Sequence, residues 1–321
     1  MFSDRNLIVV VVLCLVAVWG AAAFKINGNK SRGHVSAPFE IVHRVEAPIT
    51  DSSFFENTQT VQKPPTGNPS AAAKPRGLPG VTARAYLVGN TKTGKIYLEW
   101  NAGRIMPVAS MSKLVTAFVA TDLIPASTTI EISEAAMQAP PDRSNLMAGE
   151  HLTLTDALQP LLLSSSNIVA EAIASSSDRE KFMESMKAYA WEVGMPNSYF
   201  ADPSGVSPKN VASARDLFGL AKYLMYYRPD ILELTRVGTT TMATTTEHGS
   251  HYFVSTHPFV NDSRFIGGKT GRTLEAGETM LTIMNIYNQP IVIVVLGSDY
   301  GAREWDTKML LNELNRMFSM K

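Results

Sequence analysis

The sequence has little cysteine and no excess of charge of either sign. Its 321 residues contain one cysteine, Cys14, which excludes an intrachain disulfide, a CxxC redox pair and a zinc site built from several thiolates. Lysine plus arginine and aspartate plus glutamate number 29 each. The chain therefore lacks the basic surface that sequence-independent nucleic-acid binding requires, and no nucleic-acid partner is expected.

Apolar residues are plentiful by contrast. The chain is 45% hydrophobic and 18% charged, a composition that supports a large buried core. A chain of this length can form one sizeable domain or two small ones. Disordered and low-complexity classes are excluded.

An uncharged segment lies close to the amino terminus. Residues 7–24, LIVVVVLCLVAVWGAAAF, approach the roughly 20 apolar residues that cross a bilayer as a helix. Residues 1–24 are therefore predicted to be either a signal peptide, cut after the alanines at 21–23, or an uncut membrane anchor. Two lysines and an arginine follow the segment, and this positive charge favours a cytoplasmic location for the residues after it. Long domains are often translocated despite such charges. The chemistry inferred below places the bulk of the protein outside the cytoplasm.

A proline-rich segment follows. Residues 25–80 hold seven of the 18 prolines, together with scattered Ser, Thr, Asn and Gly, which predicts a flexible tether. The alternative is an ordered extension in which Phe39, Ile41, Phe54 and Phe55 pack locally. Residues 81–321 are predicted to form the globular domain.

The globular part has strands at both ends and helices in its middle. ARAYLVGN and KIYLEW flank a glycine-containing turn and predict a hairpin. Helical periodicity runs from about residue 110 to 227. Strand patterns then return in RVGTTTMAT, SRFIGGKTG, ETMLTIMNIY and PIVIVVLG, the last two joined by a turn at Asn288-Gln289, before a final helix. We predict an α/β fold of the α+β type, with an antiparallel sheet from both ends of the domain and a helical subdomain between them. The inner face of the final helix is predicted to carry Trp305, Met309, Leu310, Leu314, Met317 and Phe318.

The first motif with chemical meaning is Ser110-Met111-Ser112-Lys113. At positions i and i+3 of a helix, the Ser110 hydroxyl and the Lys113 amine share a face, so the amine can take the hydroxyl proton. Serine would be the nucleophile and lysine its base. Taken alone the motif is weak, because serine and lysine are frequent enough to produce it by chance.

Two further motifs follow in order. Ser165-Ser166-Asn167 begins a helical run, and Lys269-Thr270-Gly271 ends a strand. SxxK, SxN and KTG together are typical of penicillin-binding proteins and serine β-lactamases. A second KTG at 92–94 precedes the serine and is interpreted as a hairpin turn.

Each motif can contribute to acyl transfer. A nearby cation such as Lys269 would lower the pKa of Lys113 and so favour the neutral amine that a base requires. Ser165 can relay a proton, and Asn167 can hold Lys113 and a substrate amide by hydrogen bonds.

The KTG motif is suited to substrate binding. The Thr270 hydroxyl can bind a substrate carboxylate beside the charge of Lys269. Gly271 has no side chain, so a substrate backbone can lie against the strand.

From about residue 83 onward the sequence resembles the low-molecular-mass penicillin-binding proteins, which are D-alanyl-D-alanine carboxypeptidases and endopeptidases. Besides the three motifs, the likeness covers AYLVGNTKTGKIYLEWNAGRIMPVASMSKLVTA and GMPNSYFADPSGVSPKNVASARDL. It implies a β-lactamase/transpeptidase-like fold and a serine-type hydrolase that cuts peptidoglycan through an acyl-enzyme, with no cofactor and no metal. It also implies an extracytoplasmic location, in the periplasm or cell wall.

The resemblance implies a role for each candidate residue. Catalysis is implied for Ser110, Lys113 and Ser165. Substrate binding is implied for Asn167, Lys269, Thr270, Gly271 and Arg272. The backbone N–H groups of Ser110 and Arg272 would form the oxyanion hole. The implied partners are peptidoglycan stem peptides, β-lactam antibiotics as covalent inhibitors, and the membrane if the N-terminal segment is uncleaved.

The sequence also departs from the family. Ile168 stands where members often carry Asp, and His257 stands where Asn is expected. The absence of a separate β domain after the catalytic domain favours the compact endopeptidase-like members slightly over the carboxypeptidases.

Two alternative functions remain open from the sequence. A class A-like β-lactamase would need an acidic residue to activate the deacylating water. The sequence has Asp202-Pro203-Ser204-Gly205 but no ExxLN, which predicts slow deacylation. An inactive wall-binding module would need a broken motif, and none of the three is broken.

The histidines and the glutamates near the KTG motif are not predicted to take part in catalysis or metal binding. His248 and His251 lack a third ligand at helical spacing, so no metal site is predicted. Glu275 and Glu278 are expected to solvate the rim of the site.

Overall fold

The computed structural model describes residues 77–320. The predicted signal peptide or anchor, residues 1–24, lies outside the described residues, as does almost all of the predicted linker at 25–80. No helix within the described range is both long enough and apolar enough to cross a membrane. The boundary between linker and globular domain at residue 81 stays a prediction.

The described range begins with strands, continues with a mainly helical middle, returns to strands and ends in a helix. The strands are β1 (Ala85–Asn90), β2 (Ile96–Trp100), β3 (Met106–Pro107), β4 (Thr129–Glu131), β5 (His151–Thr153), β6 (Val211–Ala212), β7 (Thr239–Met242), β8 (His251–Val254), β9 (Phe265–Thr273), β10 (Gly277–Ile286) and β11 (Gln289–Ser298). The α-helices are α1 (Ser112–Leu123), α2 (Leu154–Leu162), α3 (Asn167–Ser175), α4 (Arg179–Glu192), α5 (Ala214–Tyr227), α6 (Pro229–Thr235) and α7 (Arg303–Ser319).

One antiparallel sheet joins the two ends of this range. Its strand order is β2-β1-β11-β10-β9. The junction is the pair of β1 and β11, in which Leu87 is the partner of Val294. The predicted fold class is confirmed, because strands from both ends share one sheet and the helices are inserted between them. Strand β9 ends the sheet on one side and carries the KTG motif.

The sheet has a hydrophobic core on each face. Successive side chains of a strand point to opposite faces, so β11 contributes to both cores. Val294 and Leu296 pack with the inserted helices, whereas Ile293 and Val295 pack with α7. Burial on both faces explains why PIVIVVLG is a continuous apolar run and does not alternate with polar residues.

The turns of two hairpins in the main sheet, β1–β2 and β10–β11, follow from their residues. Lys92-Thr93-Gly94 lies in the turn between β1 and β2, as predicted, with Gly94 at φ +72°. The turn between β10 and β11 is formed by Tyr287 and Asn288, at φ +51° and +58°. The prediction of Asn288-Gln289 was wrong by one residue, because a two-residue hairpin turn of this kind needs positive φ at both central positions. Gln289 already belongs to β11.

The strand predicted in RVGTTTMAT forms, but it lies outside the main sheet. It forms β7, which pairs with β8 in a separate two-stranded hairpin and does not join the main sheet. Thr240 of β7 donates a hydrogen bond to the Gln159 side chain of α2, at 3.1 Å. This hairpin therefore contacts the helical subdomain.

Helix α7 packs on the sheet with a face slightly different from the predicted one. Leu310, Leu311 and Leu314 are buried, but the Trp305 side chain is 58% exposed. In the first turn the inner position belongs to Asp306, whose carboxylate accepts hydrogen bonds from the backbone N–H and hydroxyl of Thr82 at 2.8 Å each. The prediction for Trp305 was therefore wrong: a polar residue that anchors the start of the domain occupies the inner face there.

Candidate active site

Ser110 lies in a tight turn immediately before α1. Residues Ala109–Met111 form a single 3-10 turn, and Ala109 has φ +50°. Two glycines allow other segments to approach this turn: a Cβ on Gly205 would lie 2.0 Å from the Ala109 carbonyl oxygen, and one on Gly271 would lie 2.9 Å from the Ser110 nitrogen. The Ser110 side chain is half-buried, so a ligand can reach it.

Lys113 places its amine against the serine hydroxyl. Its side chain is buried, and Nζ lies 3.0 Å from Ser110 Oγ. The amine also donates to Asn167 Oδ1 at 2.8 Å and to the Ser204 carbonyl oxygen at 2.5 Å. The predicted pairing of hydroxyl and amine on one face is present, although Ser110 precedes the α-helix and Lys113 is inside it.

Burial lowers the pKa of Lys113 to about 7. The carboxylates of Asp202, Asp142 and Glu171 act in the opposite direction and raise it. The cause differs from the expectation that Lys269 lowers this pKa: desolvation disfavours the charged amine and dominates. A large fraction of Lys113 is therefore neutral near pH 7, as a base requires.

The SxN motif spans the start of α3. Ser166 is the N-cap residue, and its side chain accepts a hydrogen bond from the Val169 N–H. Ser165, just before it, has φ +63° and accepts a hydrogen bond from Lys269 Nζ at 2.8 Å. Asn167 is the first residue of the helix and reaches Lys113. This motif therefore contacts both lysines.

The KTG motif brings the second amine to the site along β9. Lys269 is buried, and burial together with the Lys113 and Arg303 cations holds its pKa well below the ordinary value. The Thr270 hydroxyl lies 2.7 Å from the Thr256 hydroxyl. Gly271 lies beside the Ser110 backbone, as the absence of a side chain permits.

Arginines lie at the far end of the KTG strand. The Arg272 side chain is exposed and stacks over the Tyr300 ring at 5.1 Å from its centroid. Arg303, which the sequence reading missed, donates from Nη1 to the Gly271 carbonyl oxygen at 3.1 Å. Its guanidinium also lies 3.9 Å from Glu278. Arg303 begins α7, 32 positions after Gly271, so no local pattern connected it to the motif.

Asp202 has a structural role in the turn that holds Lys113. Its carboxylate accepts hydrogen bonds from the backbone N–H groups of Ser204, Gly205, Val206 and Ser207. These bonds shape the turn whose Ser204 carbonyl accepts from the Lys113 amine. The carboxylate is therefore engaged and is poorly suited to activating a water.

Two buried histidines, His251 and His257, contribute to packing. His251 contacts Glu150 at 2.9 Å, and within residues 77–320 no group of three metal-binding side chains is present. His257 is buried against the Phe265 ring, and burial lowers its pKa to about 3. Its Nδ1 accepts from the Phe259 N–H, so the ring closes the loop before β9. Ile168, the other departure, is buried in the helical core.

Fold and site together define a serine hydrolase, and its site places a buried lysine amine within hydrogen-bond distance of a serine hydroxyl. The chain belongs to the D-alanyl-D-alanine carboxypeptidase family, peptidase S11, whose sequence profile matches residues 70–300.

Known relatives include both activities found in that family. The D-alanyl-D-alanine endopeptidase of Pseudomonas aeruginosa is 30% identical over 242 residues, covering 71% of this chain and 76% of the relative. The endopeptidase of Escherichia coli is 28% identical, covering 71% and 75%. A D-alanyl-D-alanine carboxypeptidase of Bacillus subtilis is 26% identical, covering 67% and 57%.

Solved structures share the fold. The D-alanyl-D-alanine carboxypeptidase of Mycobacterium tuberculosis superposes with a TM-score of 0.68 at 23% identity, covering 76% of this chain and 95% of that one. A mutant of the Streptomyces K15 DD-transpeptidase gives 0.66 at 23% identity, covering 73% and 98%. These similarities confirm the predicted β-lactamase/transpeptidase-like fold.

Proposed function

We propose that the protein is a serine DD-peptidase that cuts a D-alanyl bond in peptidoglycan stem peptides through an acyl-enzyme on Ser110. The observation that carries the proposal is the buried Lys113 amine, 3.0 Å from Ser110 Oγ and with a pKa of about 7. A neutral amine at that distance can take the hydroxyl proton as the oxygen attacks a carbonyl carbon.

Acylation follows from the arrangement of the three motifs. Ser110 Oγ bonds to the D-alanyl carbonyl carbon of the bond to be cut, and its proton passes to Lys113. The backbone N–H groups of Ser110 and Arg272 are proposed to stabilise the resulting oxyanion. Ser165, which accepts a hydrogen bond from Lys269, is proposed to relay that same proton from Lys113 to the leaving amine. The C–N bond then breaks, and a water later hydrolyses the ester and restores Ser110.

Polar groups near β9 support binding of a substrate carboxylate. Arg303 contributes a guanidinium at the KTG strand, the Thr270 hydroxyl contacts Thr256, and the Lys269 amine, whose pKa is lowered in the free site, lies beside them. A carboxylate placed there would raise the pKa of Lys269, because a nearby anion favours the charged amine. Asn167 and Gly271 are proposed to hold the peptide backbone of the substrate.

We favour DD-endopeptidase over carboxypeptidase action. The Pseudomonas and Escherichia endopeptidases are 30% and 28% identical to this chain, whereas the Bacillus carboxypeptidase is 26% identical. Purified protein incubated with cross-linked muropeptide dimers should release monomers faster than it removes D-alanine from a pentapeptide monomer. Preferential release of D-alanine would assign carboxypeptidase activity instead.

The proposed substrate places the protein outside the cytoplasm, in the periplasm or cell wall. Residues 1–24 are proposed to direct export, either as a cleaved signal or as an anchor in the cytoplasmic membrane. Protein recovered from membrane and soluble fractions, with its amino terminus sequenced, distinguishes the two.

The proposed inhibitor chemistry separates a DD-peptidase from a β-lactamase. The carboxylate of Asp202 is held by backbone N–H groups, so it is not placed as the base for rapid deacylation. A fluorescent penicillin should remain bound to Ser110 for minutes or longer. Rapid turnover to penicilloic acid would favour the β-lactamase alternative.

A Ser110→Ala variant tests the nucleophile. It should lose penicillin labelling and peptide cleavage while keeping its unfolding temperature. Ser185→Ala, which removes a serine on the exposed side of α4, is the matched control and should keep both activities. Wild-type protein that is folded but neither labelled nor active on muropeptides would point to the inactive wall-binding module.

A further inference from the structure

The helix that carries Asn167 begins against a carboxylate from a distant loop. Asp142 lies in the segment between β4 and β5, and its Oδ2 accepts three hydrogen bonds from the start of α3. The donors are the Ser166 hydroxyl at 2.6 Å, the Asn167 N–H at 2.7 Å and the Ile168 N–H at 3.1 Å. Oδ1 accepts from the Ser144 N–H at 2.8 Å, so both oxygens are held.

The same loop fixes the side chain of Asn167. Its Nδ2 donates to the Pro140 carbonyl oxygen at 3.1 Å. Because the amide nitrogen is turned to Pro140, the amide oxygen faces the Lys113 amine at 2.8 Å. Asp142 holds the backbone of Asn167, and Pro140, two residues earlier, sets the orientation of its amide. The loop thereby positions the group that holds the proposed base.

Asp142 also contributes charge to this part of the site. Hydrogen bonds from Ser144, Ser166 and Ile168 outweigh its partial burial and lower its pKa, so it is ionised in the working pH range. Its carboxylate raises the pKa of Lys113, as do those of Asp202 and Glu171. The Lys269 amine on β9 has its own pKa lowered by burial and by the charges of Lys113 and Arg303, and Arg179 pairs with Glu171.

We propose that Asp142 is a positioning residue for acylation: it anchors the start of α3 so that Asn167 holds the Lys113 amine against Ser110. The inference rests on the proposed function, because it assigns Asp142 to the same reaction. The role of Asp142 also explains why the apolar Ile168 can follow Asn167, where relatives often carry Asp. The Asp142 carboxylate, from the loop before β5, already accepts hydrogen bonds at the start of α3.

Two substitutions separate geometry from charge. In Asp142→Asn, the amide oxygen can keep the position of Oδ2 and accept from the three helix donors, while the charge and the Oδ1 acceptor for the Ser144 N–H are lost. In Asp142→Ala, both the acceptor and the charge are lost. Asp178→Ala is the matched control, because Asp178 caps α4 through the N–H groups of Glu180 and Lys181 and is not in contact with the motifs.

The measurement is the second-order rate of acylation by a fluorescent penicillin between pH 5 and 9. In Asp142→Ala, loosening of Asn167 and Lys113 should slow acylation by between about ten- and a hundredfold. Asp142→Asn should be slowed by a smaller factor, and the acid limb of its pH profile should move to lower pH, since a carboxylate that raises the pKa of Lys113 has been neutralised. The Asp178→Ala control should match wild type within about twofold at every pH.

The outcomes distinguish this inference from the proposed function. A wild-type protein that is not acylated contradicts the function itself. A wild-type protein that is acylated, with Asp142→Ala folded and as fast as wild type, overturns the positioning role. An acid limb that stays in place in Asp142→Asn overturns the charge contribution. Equal slowing of Asp142→Ala and Asp178→Ala would show that only loss of a helix cap matters, which also overturns the inference.

Discussion

Lys113, the proposed base, is fully buried, and its amine is shielded from water. The Lys113 amine donates hydrogen bonds to three oxygen atoms, those of the Ser110 hydroxyl, the Asn167 amide and the Ser204 carbonyl. Desolvation disfavours the ammonium form, and the neighbouring carboxylates restore part of its stability. The balance leaves the pKa of Lys113 near neutrality, where a base is most effective.

Acylation should therefore depend on pH through Lys113. In the proposed mechanism the neutral amine is the active form, so the acylation rate should rise as pH increases through about 7 and level off above it. The rate of labelling by a fluorescent penicillin, measured from pH 5 to 9, checks this. A rate that is independent of pH between 6 and 8 would contradict the role of Lys113 as base.

Replacing Lys113 with arginine should remove the base while keeping a cation. Arginine stays protonated at all working pH values, so it cannot accept the Ser110 proton. Acylation should fall by at least about a hundredfold, the lower end of the usual contribution of a general base. Lys222→Arg, on α5, is a control lysine outside the three motifs and should retain the wild-type rate.

The motifs allowed the reactive side chains of the site to be predicted, but not the residues that position those side chains. Ser110, Lys113, Asn167 and Lys269 were found because SxxK, SxN and KTG occur in order along the chain. Asp142, Thr256 and Arg303 act on the same groups through contacts between residues far apart in sequence. Such contacts follow from the packed fold and leave no periodic or local pattern in the sequence.

At the scale of elements, the turn at residues 202–205 packs closely against the turn that carries Ser110, the proposed nucleophile. Gly205 has φ +84°, and a Cβ there would lie 2.0 Å from the Ala109 carbonyl oxygen. Neither the backbone conformation nor the space suits a side chain. The match of DPSG to the family is thus explained by a physical need for glycine next to the Ser110 turn.

Gly205→Ala should destabilise the protein and slow acylation together. Positive φ costs an alanine about 1–2 kcal/mol, and the clash with Ala109 adds a further cost of about 1–3 kcal/mol. Gly149→Ala is the matched control, since Gly149 has φ +85° but open space around the Cβ position. Urea unfolding should show a clearly larger loss for Gly205→Ala. Equal losses would mean that the close approach at Ala109 has no energetic consequence.

Helix α7 offers a second test at this scale. Leu310 is fully buried against the sheet, whereas Trp305 is mostly exposed. Leu310→Ala should therefore lower the free energy of unfolding by about 2–5 kcal/mol, and Trp305→Ala by less than about 1 kcal/mol. Chemical denaturation measures both. A larger loss of unfolding free energy for Trp305→Ala than for Leu310→Ala would support the inner helix face predicted from hydrophobic spacing. That prediction did not take the buried Asp306 into account.

At the scale of the whole molecule, the sheet makes the two ends of the domain depend on each other. Strand β1 is completely buried, and its partner β11 lies about 200 positions later in the sequence, near the carboxyl end of the domain. Both periodicity and motif order allowed this arrangement to be predicted from the sequence. The register and the strand order were not predictable, because the buried strands are apolar on both faces and carry no alternating pattern.

This arrangement predicts where the chain can be shortened. A chain beginning at residue 77 keeps every strand of the main sheet, so it should be acylated by penicillin at the same rate as the full chain. A chain beginning at residue 101 lacks β1 and β2 and leaves one side of β11 without its hydrogen-bonded partner, so it should fail to fold. Circular dichroism and penicillin labelling measure both outcomes. Loss of labelling in the longer fragment would show that residues before 77 belong to the catalytic domain, against the predicted boundary at 81. Labelling of the shorter fragment would show that the site is assembled by the helical subdomain and β9–β11 alone.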